Sequence, residues 1–306
     1  IGGGLGFVII TILGLYVFSY YKDLDIENIY YFLFASSILT IIGYWDDLRN
    51  ISAFSRFLTQ LFSSILVIFF FSGFPEIFFL SYTWIDGVIG LILGVIFLVW
   101  LTNLFNFMDG IDGLATIQGI FILLSYIFLV FILDPLSINS DAKIFFYYST
   151  IILFSSLFGF LFYNFPNSSI FMGDAGSSFL GFFLGSLGIY ASANNWISFW
   201  TLIIIWSMFI VDATVTLLIR IYNREKWYQA HRSHAYQKLT IIFSEKLDSR
   251  FEKSIARAKS HRRVCSIYFL INLFWVLPLS FLSIKYYQYG FIITLVCFCP
   301  LIISSI

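Results

Sequence analysis

Charge is what this chain has least of. Only 11% of its 306 residues are Asp, Glu, Lys or Arg, against 60% that are hydrophobic. A soluble domain carries roughly 25% charged residues. This one has too little polar surface to cover itself, which excludes a water-soluble globular protein. Its 17 basic and 17 acidic residues cancel, so the basic excess that marks a nucleic-acid partner is missing. Cysteine is almost absent. Cys265, Cys297 and Cys299 lie in or beside apolar runs. They have neither metal-ligand spacing nor a disulfide framework, and read as small core residues. The opening "IGGGLGF" lacks a basic region and a cleavage site, so it is no signal peptide. Without an initiator Met, it reads as internal to a longer protein. No repeat with a period of about 20–50 residues is visible.

What the chain has is long apolar runs. A membrane helix needs about 20 such residues. Candidate spans fall at 4–20, 29–45, 55–74, 87–106, 115–133, 143–163, 176–193, 197–219, 264–284 and 288–305. The runs are continuously apolar rather than alternating, which favours helices over a barrel. The expectation is an all-α polytopic membrane protein of about ten transmembrane helices, with 1–306 forming a single integral membrane domain. Lys22, Lys143 and Lys285 fall on one side. Arg49, Arg56 and a dense cluster from Arg220 to Arg263 fall on the other. By the positive-inside rule the second side is cytoplasmic, and 220–263 reads as a basic cytoplasmic loop.

Four polar clusters return to that same side, each two spans from the next. They are "GYWDDLRN" at 43–50, "NLFNFMDGIDGLA" at 103–115, "NFPNSSIFMGDAGSS" at 164–178, and the loop containing "HRSHAYQKL" at 231–239. Unrelated loops would not be expected to concentrate their polarity on one face.

Each cluster suggests chemistry, weighed against a plainer role. Asp46 and Asp47 are adjacent, so on a helix they point about 100° apart. A regular helix cannot aim both at one ion, and a solvated helix end is the plainer account. Asn103, Asn106, Asp109 and Asp112 are spaced by three. Neighbours share a face, and the series makes a polar lip from membrane depth to water. Acids at such depth usually face a cavity, and Asn and Asp oxygens suit a hard cation such as Mg2+. A capped helix end explains one Asp and one Gly, not the series. Asp174 lies between Gly173 and Gly176, ahead of an apolar helix whose N-terminus favours phosphate. No Gly-Lys-Ser/Thr follows, which excludes a Walker A loop. His231, Arg232 and His234 lack the further ligands of a zinc site and suit polyphosphate. His261 reads as part of the basic flank, and Asp212, inside the eighth span, as structural polar glue.

The motifs "GYWDDLRN", "NLFNFMDGIDGLA" and "FMGDAGSSFLGF" closely resemble those of the polyprenyl-phosphate N-acetylhexosamine-1-phosphate transferase family. That family includes the phospho-MurNAc-pentapeptide translocase and the enzymes that start O-antigen and enterobacterial common antigen synthesis. The likeness runs from Ile1 to about Leu239 in motif order and span spacing, and the resemblance implies one more N-terminal span ahead of Ile1. The resemblance implies transfer of a HexNAc-1-phosphate from a UDP-N-acetylhexosamine to undecaprenyl phosphate, with release of UMP. It also implies a Mg2+ cofactor (Mn2+ as a substitute), the bacterial inner membrane as location, a cytoplasmic active site and room for a homodimer. By motif position, Asp174 and Asn106 would hold the metal on the diphosphate, making Asp46, Asp47 and Asp174 the catalytic carboxylates. Asp46 or Asp47 would orient or deprotonate the lipid phosphate. Phe171 would stack on uracil, with Asp109 and Asp112 shaping the nucleotide pocket and Asn103 supporting them. His231, Arg232 and His234 would contact the diphosphate or sugar. The family's usual DR-x-H-L-H-H pattern reads "HRSHAYQ" here, where only Arg232 and His234 match. This variant resembles the branch that starts O-antigen with fucosamine-type sugars, so GlcNAc and 6-deoxy-HexNAc sugars such as FucNAc and QuiNAc are all candidates.

Two rivals fit less well. A secondary transporter would place its acids in mid-span, whereas these lie at one face. A CDP-alcohol phosphotransferase would carry D-G-x-x-A-R, and no Arg follows "DGIDGLA".

Overall fold

The computed structural model describes every residue except 1, 23–26, 72, 80–81, 84–86, 134–139, 226–231, 249–251 and 306. Among the described residues the chain is helical apart from one minimal hairpin. Its elements are α1 (Leu5–Lys22), α2 (Glu27–Arg49), α3 (Ala53–Phe70), β1 (Phe78–Phe79), β2 (Tyr82–Thr83), α4 (Gly87–Met108), α5 (Leu114–Leu133), α6 (Asp141–Asn164), α7 (Gly173–Ala193), α8 (Phe199–Ile205), α9 (Ser207–Tyr222), α10 (Ala235–Asp248), α11 (Lys253–Ile271), α12 (Leu277–Lys285) and α13 (Gly290–Ser305). A π-helical turn, Asn272–Val276, joins α11 to α12. The two short strands pair antiparallel.

Eight helical stretches are long and apolar enough to cross a membrane, and α8 with α9 adds a ninth as a broken span. Outward side chains such as Ile10, Leu13, Phe34, Phe62, Phe69, Ile89 and Ile96 are exposed. A bilayer covers such a surface. In lipid, helices gain little from hiding apolar area from each other, so association rests on close packing by small residues. Helix α7 shows this directly. Its sequence "GDAGSSFLGFFLGSLGIYASA" is rich in Gly and Ser, and Ala175–Ser192 is buried throughout. It is the central post, with α2 and α4 as its main neighbours. Gly43 of α2 meets it so closely that a Cβ there would lie 2.7 Å from the Ala175 Cα. Deeper in, the rings of Phe32 and Phe183 pack with centroids 4.6 Å apart, and Phe71 and Tyr190 with centroids 4.8 Å apart.

The structure alters three expectations. The eighth span is not one helix: the chain turns by 76° between α8 and α9, at Trp206. The Trp206 indole N–H donates to the Tyr126 hydroxyl at 2.9 Å, and that hydroxyl donates to the Leu184 carbonyl. The break is therefore held by α5 and α7. The third helix stops at Phe70, short of the expected 74, where Phe71 and Gly73 turn back on Val67 and Ile68. Finally, much of 220–263 is helix rather than loop. Helix α10 packs on α11, and the path Lys253–Lys285 runs on for 33 residues, well past the expected start of the ninth span at 264.

Candidate active site

The site is assembled from helix ends. Helix α2 stops at Arg49, and Asn50 takes a left-handed φ of 48° to reverse the chain. Ser52 then caps α3 by accepting the Ser55 N–H at 3.1 Å. This tight turn sets Arg56, ten residues after Asp46, against the carboxylate it follows. Arg56 Nη1 lies 2.6 Å from Asp46 Oδ2 and 3.3 Å from Asp174 Oδ2. Asp46 also accepts the Ile51 N–H at 2.6 Å and is buried. One side-chain cation thus bridges two carboxylates from different helices.

Asp47 goes elsewhere, as adjacent positions on a helix must. Its carboxylate accepts the backbone N–H groups of Asp174 at 2.8 Å and Ala175 at 3.3 Å. It therefore caps α7 from another helix. Gly173 opens α7 at φ 72°, and a Cβ there would lie 2.7 Å from Asp47 Oδ2. Backbone conformation and space both call for glycine at this position.

Asn106 closes the cluster from α4, donating to Asp174 Oδ1 at 2.8 Å and to the Ser177 hydroxyl at 3.2 Å. One turn below, Asn103 does not reach the carboxylates. It donates to Gln60 Oε1 at 2.7 Å and to the Val99 carbonyl at 2.8 Å, pairing amide to amide with α3.

Beside this cluster lies a cavity of about 640 Å³. Arg56, Gln60, Asn103, Asn106, Asp109, His234, Tyr236 and Gln237 give it polar walls, and Phe57, Trp100, Phe107 and Leu217 apolar ones. Asp109 sits where burial, then the charges of Asp174, Asp47 and Asp112, push its carboxyl pKa well above the usual range, against a hydrogen bond from the Gly173 N–H. Burial also raises the pKa of the Tyr236 hydroxyl, with Asp212 and Asp109 adding to the effect. That hydroxyl donates to the Phe107 carbonyl at 2.9 Å.

Asp112 is turned away from the cavity. It accepts from the Ser168 hydroxyl at 2.7 Å, and its Oδ2 lies 3.0 Å from His261 Nδ1. Burial works to raise the Asp112 carboxyl, but the hydrogen bonds from His261 and Ser168 outweigh it and hold the pKa below the usual value. Asn164 ties the same region together, accepting from Gly113 N–H and the Thr116 hydroxyl and donating to the Ile170 carbonyl. Phe171 follows directly; it is 57% exposed and does not figure in the cavity wall.

His234 is buried and lines the cavity. Arg232 is exposed and does not figure in the cavity wall. His231 lies outside the described residues. Among the described residues no three His, Cys, Asp or Glu side chains converge as a ready-made metal cage. Sequence reasoning assigned no site role to Arg56, Gln60 or His261. For Arg56 the usable signal was a cation one short turn after an acidic helix end. Gln60 and His261 carried no such mark.

The sequence has known relatives. The profile described as Glycosyl transferase family 4 matches residues 29–192, more than half of the chain. The probable undecaprenyl-phosphate N-acetylglucosaminyl 1-phosphate transferase of Bacillus subtilis is 31% identical over 245 residues, covering 78% of this chain and 64% of the relative. The phospho-N-acetylmuramoyl-pentapeptide-transferase of Campylobacter lari is 30% identical over 275 residues, covering 78% and 72%. The putative UDP-N-acetylglucosamine–dolichyl-phosphate N-acetylglucosaminephosphotransferase of Sulfolobus acidocaldarius is 33% identical over 197 residues, covering 61% and 57%. The chain thus spans about two thirds of the length of these relatives, and it belongs to glycosyl transferase family 4.

Proposed function

We propose that this protein transfers a HexNAc-1-phosphate from a UDP-sugar to undecaprenyl phosphate at the cytoplasmic face of a bacterial inner membrane. An oxygen of the lipid phosphate attacks the sugar-bearing phosphorus of the UDP-sugar. The bridging P–O bond breaks, and UMP leaves. The product would start a lipid-linked cell-envelope polysaccharide of the O-antigen type.

The observation that carries this reading is the meeting of Asp46, Arg56, Asn106 and Asp174, from four helix ends, within 3.3 Å of one another in sequence of contact. Both substrates are anionic, so charge neutralisation and alignment dominate the barrier. The adjoining cavity pairs Arg56 and Asn106 with Phe57, Trp100 and Leu217. That mixture suits a phosphate on an apolar chain. The names of the relatives point the same way, since each describes a transferase of a phosphorylated amino sugar or its peptide-bearing form.

The donors suit Mg2+. Asp174 and Asp46 already share a cation, the Arg56 guanidinium, and the Asn106 amide oxygen lies on the same side chain that contacts Asp174. Mg2+ keeps several waters and uses one or two carboxylates plus substrate phosphates, which agrees with the lack of a full cage. Asp174 and Asn106 would hold it, and when bound it would neutralise the diphosphate; Mn2+ could substitute. A phosphate monoester has a second pKa of about 6, so the acceptor is largely dianionic at neutral pH. Asp46 therefore serves more to position than to deprotonate. The "HRSHAYQ" variant favours a 6-deoxy-HexNAc such as FucNAc or QuiNAc beside GlcNAc.

The test uses the full-length protein in detergent with undecaprenyl phosphate, Mg2+ and a panel of UDP-sugars, scored for UMP. Release with at least one N-acetylhexosamine is expected. No UMP with any sugar, together with ion-coupled solute uptake in vesicles, would replace the proposal with a transporter.

A further inference from the structure

Asp212 lies within α9, and its carboxylate is buried. It gathers five groups from three parts of the chain. Oδ1 accepts the Ala235 N–H at 3.0 Å and the Thr216 hydroxyl at 3.4 Å, and lies 3.3 Å from His234 Nδ1. Oδ2 accepts the Tyr268 hydroxyl at 2.8 Å and the Tyr236 N–H at 3.3 Å. The two backbone groups are the first donors of α10, so Asp212 caps that helix from α9, while Tyr268 ties in α11. A buried carboxylate this fully coordinated is far more than a helix stabiliser requires, because a local Ser or Asp cap would serve α10 equally well.

The consequence falls on His234. An ionised carboxylate only accepts hydrogen bonds, so the ring nitrogen facing it must carry a proton. Which imidazole nitrogen is protonated is set by the hydrogen bond the other one makes. The ring is further fixed between Phe107 and Tyr236, with centroid distances of 6.3 and 5.7 Å and planes within 25° and 19°. With Nδ1 held by Asp212, the ring can address the cavity only by its other edge, which carries Nε2.

We infer that Asp212 is a positioning residue that fixes His234 as the Nδ1–H tautomer, so that Nε2 meets the phosphate-bearing substrate in the cavity. This rests on the reaction proposed above for the substrate, but not for the geometry. The pair acts as a dyad: the Asp212 carboxylate stabilises the imidazolium, whose Nε2 proton, taken from water, is donated to a phosphate oxygen of the substrate and passes to the UMP phosphate as the bridging P–O bond breaks. The break at Trp206 matters here, because it sets the direction of α9 and so brings Asp212 to the start of α10.

The experiment has two readouts. The chain has three histidines, so 15N-histidine labelling of the full-length protein gives few imidazole signals, and His234→Gln identifies the one sought. At alkaline pH the wild-type ring is expected to carry its proton on Nδ1. Asp212→Ala should release the ring to the Nε2–H form. Asp212→Asn should keep the tautomer, since its oxygen can remain on Nδ1 with the Ala235 N–H while Tyr268 turns its hydroxyl to accept from the new NH2, at the loss of the longer bond from the Tyr236 N–H. In the UMP assay, Asp212→Ala is expected to lower kcat about 100-fold with KM within about threefold, and Asp212→Asn clearly less. Combined with His234→Gln, Asp212→Ala should cost nothing further. A wild-type proton on Nε2, an unchanged tautomer in Asp212→Ala, or additive losses in the double variant would overturn the inference. If Asp212→Ala does not purify, the wild-type tautomer decides alone. That readout needs no turnover, so an enzyme that released no UMP would count against the proposed reaction and not against the dyad.

Discussion

Replacing Arg56 with methionine removes one charge and keeps most of the apolar stem. In the wild type its Nη1 stands 2.6 Å from Asp46 Oδ2 and 3.3 Å from Asp174 Oδ2. Because both oxygens touch the same atom, they are at most about 6 Å apart. Two unit charges at about 6 Å repel by about 3 kcal/mol at an effective dielectric of about 20. The side chains of Arg56 and Asp174 are 38% and 34% exposed, so water and salt screen part of this, and about 1–2 kcal/mol should remain. For a chain of this size that is a fall in Tm of about 1.5–3 °C. The assay is thermal unfolding in detergent followed by the fluorescence of the eight tryptophans, first in EDTA and then in Mg2+. If the guanidinium occupies a cation's place between these carboxylates, Mg2+ should restore most of the loss in Arg56→Met and raise the wild type by less. UMP release should fall by about 100-fold. The reasoning fails if the variant melts with the wild type in EDTA, or if Mg2+ raises both by the same amount.

Three further outcomes follow from the same geometry. Gly43→Leu forces a side chain into the Ala175 backbone; it should cost about 1–3 kcal/mol and separate Asp46 from Asp174, with UMP release lost before the fold is. A variant that is fully active would show that α2 and α7 need not touch here. At pH 8 Asp174→Asn should lose more activity than Asp46→Asn, because Asp174 contacts both Asn106 and Arg56 whereas the acceptor phosphate needs no base; equal losses at every pH would contradict the positioning role of Asp46. Asp109 has a raised carboxyl pKa, so the folded state holds its proton more tightly than the unfolded chain, and stability falls as pH rises through that pKa. Asp109→Asn escapes this, and its Tm advantage should widen from pH 5 to pH 8. Parallel curves would mean that the carboxyl is not repelled by its neighbours.

The helices were legible because long apolar runs leave few other structures open to them in a bilayer. The broken span was not. Position 206 is a tryptophan, not a proline or glycine, and the bend is set by its bond to Tyr126, 80 residues away in sequence. The helical start of α11 was hidden for a different reason. "KSIARAKSHRR" is basic enough to read as a loop, yet its Lys, Arg and Ala are good helix formers, and α10 packs along it. Within the site, the divergence of Asp46 and Asp47 follows from the turn of a helix alone. The partners they find do not. Arg56, Gln60 and His261 acquire their roles only when α3 meets α2, α3 meets α4, and α11 meets the turn at Asp112. Even the series of four polar residues splits on folding: Asn103 to an amide pair, Asn106 to Asp174, Asp109 to the cavity, and Asp112 to His261.

The start of α7 bears on how phosphate is held. Such a helix end, with glycines and free N–H groups, ordinarily attracts an anion. Here the anions are already part of the protein. Gly173 N–H is directed at Asp109, and the next two N–H groups are accepted by Asp47. A diphosphate seated on this end would have to displace a carboxylate held at 2.8 Å, exchanging one anion for another with no net gain in charge pairing. The end of α7 is instead used to bind α2 to α7, and so to hold Asp46 beside Asp174. In the proposed reaction, phosphate charge is then met by groups that are not committed to backbone. Those would be Arg56, whose guanidinium can leave the carboxylates when a metal takes its place, the metal itself, and the His234 ring. In that reaction the positive end of the helix builds the site, and exchangeable cations would meet the phosphate charge.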